Sequence, residues 1–114
     1  MPTQQPPIEV KKISGSTDVK AIFETCLGCK WSLHLLKCIR ENIHRPGELE
    51  RSAEGLTMKV LQERLKKLVK FGLLRREVHP VVPPRVEYHL TPFGREFTVI
   101  LDEIESLHRK HFGA

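Results

Sequence analysis

Cysteines and histidines are the residues of this chain with the widest chemical repertoire, and their spacing restricts what they can do. Cys26-Leu27-Gly28-Cys29 forms a CxxC, with His34 and Cys38 following it. A zinc site wants four convergent ligands, and no second CxxC or HxxxH pair supplies the rest. Thioredoxin-like chemistry wants a strand–helix–strand setting, which the surrounding pattern lacks. Cys26 and Cys38 both fall on apolar helical stripes, where cysteine ordinarily packs as a small hydrophobe. Packing is therefore the expected role of the thiols. A redox-responsive pair at Cys26 and Cys29 is the rival reading, and no metal is assigned. His108 and His111 stand at i, i+3 without a carboxylate-bearing partner segment, so the histidines are expected at the surface. Neither a glycine-rich phosphate loop nor a nucleophile elbow is present. The chain is not expected to be an enzyme, and no catalytic residue or cofactor is expected.

The strongest signal is electrostatic. Thr57–His89 holds eight basic residues (Lys59, Arg64, Lys66, Lys67, Lys70, Arg75, Arg76, Arg85) against Glu63, Glu77 and Glu87. That segment alone carries +5, the net charge of the whole chain, and the rest balances at eleven basic against eleven acidic. Positive charge confined to one stretch suits a polyanion, because each neutralised phosphate releases condensed counterions. Double-stranded DNA is the expected partner.

Several elements must position this charge. Residues 1–16, with three prolines and Ser14-Gly15, read as a flexible N-terminal arm, and residues 17–114 as one domain. Asp18 can cap a first helix to about Leu27, and a second begins near Lys30 with Trp31, Leu35, Leu36 and Ile39 on one stripe. Pro46 opens a short third helix, Pro46–Ala53, ended by Gly55. Thr57 caps the fourth, whose apolar stripe is Met58, Leu61, Leu65, Leu68 and Val69, and Gly72 stops it. Leu73–His79 and Arg85–Leu90 have strand character, and Pro80, Pro83 and Pro84 between them form a tip. Thr91-Pro92 starts a last helix to about Phe112. The pattern is α+β, mostly α: a winged helix-turn-helix with a C-terminal dimerisation helix. At 114 residues and 39% hydrophobic, the core is modest, which leaves apolar surface for a second subunit. Phe93 and Phe97 are expected to pack on the domain, and Ile100, Leu101, Ile104 and Leu107 to supply the dimer face. No apolar run is long enough to span a membrane and MPTQQPPIEV has no signal core, so a cytoplasmic location is expected.

GCKWSLHLLKCI, RPGELERS, GLTMKVLQERLKKLVKFGLLRR and above all the wing string PVVPPRVEYHLTPFGR resemble the HxlR-type winged-helix regulators, a MarR-like group. The resemblance covers roughly Asp18 to Phe112. It implies a homodimeric transcriptional regulator that binds palindromic operator DNA, and in many members a cysteine that responds to electrophiles or oxidants. That cysteine stands near the start of the family's first helix, where this chain has Asp18. The second glycine of the family's Gly-Gly-Lys-Trp is Cys29 here.

If the fourth helix enters a major groove, its N-terminal half meets base edges, which makes Thr57, Lys59, Gln62 and Glu63 the candidates for readout. Lys66 and Lys67 are expected nearer the phosphates, and Arg76, Arg85 and, more weakly, His79 on the wing would touch backbone or minor groove. Arg85 could alternatively brace the hairpin against Glu77 or Glu87. The expected function is sequence-specific transcriptional regulation as a homodimeric repressor, with an unidentified small-molecule or oxidant effector left open. The alternatives are a thiol-responsive regulator acting through Cys26 and Cys29, and a winged-helix protein-interaction module that binds no DNA.

Overall fold

Short polar caps and glycine stops set the boundaries of the elements. The computed structural model describes residues 18–27 and 30–113, so the expectations for residues 1–16 and for Cys29 lie outside the described residues. Asp18 Oδ1 accepts from the Lys20 amide at 3.0 Å and opens α1 (Val19–Leu27). α2 (Lys30–Arg40) follows, and Asn42 reverses the chain at φ 72°. Pro46 stands at the start of α3 (Pro46–Arg51). This helix is two residues shorter than expected, because the Ser52 hydroxyl and amide both bond back to the Leu49 carbonyl and close its last turn early. Gly55, at φ 89°, carries the turn into α4 (Met58–Lys70), whose Thr57 cap accepts from the Val60 amide at 3.2 Å.

After α4, Gly72 at φ 80° releases the chain into β1 (Leu74–His79), which pairs antiparallel with β2 (Arg85–Leu90). Thr91 then caps α5 (Pro92–Phe112), accepting from the Gly94 amide at 2.9 Å while donating to the Gly72 carbonyl. That threonine therefore locks the start of α5 to the end of α4.

A single leucine-rich core sits among α2, α4, the base of the hairpin and the first half of α5. Leu35, Leu36, Leu49, Leu61, Leu65, Leu68 and Leu73 have no exposed surface, and Tyr88, Leu90, Phe97 and Leu101 close around them. Each such leucine contributes about 1.5–3 kcal/mol relative to exposure, so the three from α4 fix which face of that helix looks outward. Met58, expected on this stripe, lies one turn too far toward the N-terminus and is exposed. The hairpin is also held from the side. The Tyr88 amide donates to the His44 carbonyl at 2.9 Å, and His44 Nδ1 lies 3.0 Å from the Tyr88 carbonyl. The α2–α3 connection thus grips β2 as a short third strand would.

Candidate nucleic-acid interface

With Leu61, Leu65 and Leu68 turned inward, the helical period leaves Thr57, Lys59, Gln62, Glu63, Lys66 and Lys67 on the exposed surface of α4. All six readout and phosphate candidates on this helix thus share one outward surface. Gln62 Nε2 rests 3.6 Å from Met58 Sδ, a weak contact that a base edge could replace.

The hairpin register pairs Arg76 with Tyr88 and His79 with Arg85. Because side chains alternate, Arg76 lies on the ribbon face of Leu74 and Tyr88, and Arg85 on the opposite face with Glu87 and His89. The two arginines therefore present charge on opposite sides of the wing. No ion pair joins either of them to a described residue, so the bracing of Arg85 by Glu77 or Glu87 is not what the structure has. At the tip, Val82 is 99% exposed. A groove lined by Arg45, Pro46 and Val81–Val86 separates α3 from the tip. Arg45 is exposed there, a basic residue that sequence reasoning passed over because it belongs to a different element.

His79 departs from expectation. Its Nε2 lies 3.2 Å from Glu87 Oε1 and 3.9 Å from Glu77 Oε2, inside a cross-strand cluster. His89 Nε2 completes the cluster, 3.0 Å from Glu87 Oε1 and 3.3 Å from Glu77 Oε1, while Arg75 Nη1 sits 3.2 Å from Glu77 Oε1. Hydrogen bonds from His89 and then His79 hold the Glu87 carboxyl below its ordinary range. His79 is thus engaged within the ribbon and is not a free wing cation.

The last helix divides lengthwise. Phe97 and Leu101 face the core, and ion pairs from Arg40 to Asp102 at 2.6 Å and from Lys37 to Glu105 tie the helix to α2. Leu101, expected on the dimer face, is only 6% exposed and belongs to the chain's own core, because it falls one turn after Phe97 on the same stripe. Ile100, Ile104 and Leu107 do project outward, at 48%, 45% and 58% exposure. Phe93, expected to be packed, is partly exposed, its ring centroid 6.1 Å from that of Phe97. Cys26 is fully buried, and Cys38 is buried with its Sγ 3.4 Å from His34 Nε2. The packing expectation for Cys26 agrees with that position.

The sequence from residue 26 to residue 114 matches the family described as HxlR-like helix-turn-helix. This chain belongs to that family. Along 67 residues it is 42% identical to the HTH-type transcriptional regulator YtfH of Escherichia coli K12, an overlap of 59% of this chain and 53% of YtfH. The chain thus spans about half the length of that relative. It is 37% identical over 95 residues to the HTH-type transcriptional regulator YtcD of Bacillus subtilis, covering 83% of this chain and 73% of YtcD. Among solved structures, a MarR-family transcriptional regulator from Enterococcus faecalis V583 superposes with a TM-score of 0.75 at 32% identity, over 92% of this chain and 93% of that one. The oxidised form of the redox regulator HypR gives a TM-score of 0.69 at 30% identity, covering 82% and 95%. Family, relatives and solved neighbours thus agree on a helix-turn-helix of the transcriptional-regulator type. Among the described residues no helix is long and apolar enough to cross a membrane.

Proposed function

We propose that this regulator works as a homodimer that represses transcription by occluding a promoter, reading a palindromic operator with α4 and bracketing it with the wing. One observation carries the reading. The three leucines that root α4 in the core leave Thr57, Lys59, Gln62, Glu63, Lys66 and Lys67 outward, on the segment that holds the chain's entire charge excess. The N-terminal half of α4 reads base edges: Gln62 pairs bidentately with adenine, and Lys59 reaches guanine or a phosphate. Lys66, Lys67, Arg76 and Arg85 supply backbone affinity, and Arg45 adds to it from across the wing groove.

Ile100, Ile104 and Leu107 form the apolar stripe that meets a second copy. Two-fold symmetry then sets the recognition helices about 34–36 Å apart, one DNA turn. An effector acts by favouring one spacing of the two helices over another, since it can shift the equilibrium only through unequal affinity for the two states. The test is fluorescence anisotropy of a labelled random duplex against salt concentration. A logarithmic slope of about 0.9 for each phosphate contacted, lowered by about one in Lys66→Ala, is expected. Absence of retention even at low salt would instead identify a protein-interaction module.

A further inference from the structure

The face of the wing that carries Arg85 also carries a ligand set. Glu77 and Glu87 are paired directly across the β1–β2 ladder. Like charges in that position destabilise a sheet unless a cation compensates them. On either side, His79 and His89 stand two residues along the same ribbon face, and both aim Nε2 at a single oxygen, Glu87 Oε1, at 3.2 and 3.0 Å. Oxygens of Glu77 and Glu87 and Nε2 of His89 all lie within 4.8 Å of one another.

An imidazole nitrogen with a bare lone pair is repelled by a carboxylate oxygen, so each Nε2 must carry a proton or share a cation with that oxygen. His89 has a hydrogen bond to Glu87 Oε1. His79 brings its Nε2 to 3.2 Å from the same oxygen, with its side chain 33% exposed. Two imidazole nitrogens thus converge on one carboxylate oxygen beside a second carboxylate, donors of the kind that hold a divalent ion.

The spacing fits one. Four ligands at about 2.0–2.1 Å around zinc lie about 3.3–3.4 Å from each other. Within the set of Glu77, Glu87 and His89 the nitrogen–oxygen separations are 3.0 and 3.3 Å. His89 is further held by His44, whose ring lies against it at a 33° tilt with centroids 4.2 Å apart, and His44 is itself fixed by Tyr88.

We propose that the wing binds one divalent transition-metal ion of the zinc class through Glu77, Glu87 and His89. The ion neutralises the opposed carboxylates and cross-links the two strands. Any consequence for DNA rests on the function proposed above, whereas the binding itself does not.

The test is titration of the full chain with Co2+ alone, followed by displacement with Zn2+. One equivalent of Co2+ should give the visible d–d absorption of a nitrogen–oxygen site without the near-ultraviolet thiolate charge-transfer band that binding at the cysteines would produce. Glu87→Gln and His89→Gln, each with unchanged circular dichroism, should weaken binding at least tenfold, and Zn2+ should raise the unfolding temperature of the parent protein but not of Glu87→Gln. No saturable binding, a thiolate band, or equal affinity in both variants would overturn the proposal. A second readout separates the two ideas: anisotropy with a random duplex, with and without Zn2+. If Zn2+ binds at the wing but DNA affinity stays the same, the site stands and its link to DNA falls.

Discussion

Gly94→Ala is the substitution whose consequence the structure dictates most sharply. Gly94 lies in the first turn of α5, against the chain as it leaves α4. A Cβ there would stand 2.0 Å from the Leu73 carbonyl oxygen, 3.0 Å from its carbon and 3.2 Å from Leu90 Cδ2. The nearest obstacle is backbone, so no side chain can swing aside, and α5 must retreat by roughly 1 Å to restore ordinary contact. That retreat pulls on the Thr91 cap and on its hydrogen bond to the Gly72 carbonyl.

Overpacking costs about 1–3 kcal/mol and a weakened cap about 1 kcal/mol, against a gain of at most about 1 kcal/mol from replacing a helical glycine. With a rigid obstacle the balance falls near 2–3 kcal/mol, a large share of the 5–15 kcal/mol typical of a domain. In a chain of this size that lowers the unfolding temperature by about 10–20 °C. Urea denaturation at fixed protein concentration, with fluorescence of the single tryptophan, reads the effect as a lower midpoint at unchanged slope. Gly47→Ala is the control, because its nearest contact is the flexible Arg51 Nη1 at 3.5 Å, and its midpoint should move little. A Gly94→Ala protein unfolding at the parental midpoint would refute the packing argument.

Three further outcomes are expected. Arg85→Ala should weaken binding of all duplexes and lower the salt slope by about one, while Gln62→Ala should relax preference at one position per half-site; identical behaviour would abolish the division between backbone and base contacts. Ile104→Glu, at a position already exposed, should leave the fold intact and raise the dimer dissociation constant about a hundredfold, or about 2.8 kcal/mol, by sedimentation equilibrium; an unchanged dimer would place the interface elsewhere. Asp102 is held below its ordinary 3.8 by its hydrogen bond to Arg40, so its contribution to stability is present above that value and lost as pH falls through the lower folded-state pKa. Asp102→Asn should accordingly be less stable than the parent near neutrality and converge with it in strong acid, as followed by urea midpoints; a gap constant across pH would exclude the ion pair as its source.

Local chemistry made the element boundaries legible in the sequence. Asp18, Thr57 and Thr91 are caps because a short side-chain oxygen satisfies an orphan amide, and Gly55 and Gly72 mark positive φ. The outward face of α4 followed from leucine spacing alone. What escaped were properties set by other parts of the fold. The Ser52 hydroxyl ended α3 before glycine could. The register of Leu101 was ambiguous beside Ile100 until α2 settled which side was inside. His79 looked like a free wing cation, and the histidines showed no ligand spacing, because the hairpin joins residues ten positions apart. The grip of His44 on Tyr88 had no sequence signal, since a contact of one residue on each side leaves no periodicity.

The central claim is that α4 reads sequence in a two-fold dimer. Selection from random-sequence duplex DNA by the purified protein tests it most directly. Enrichment of a palindrome whose half-site centres lie about 10–10.5 base pairs apart, retained at moderate salt, is expected. Recovery of no motif, with weak binding erased at that salt, would contradict it and leave only the generic attraction of a basic surface.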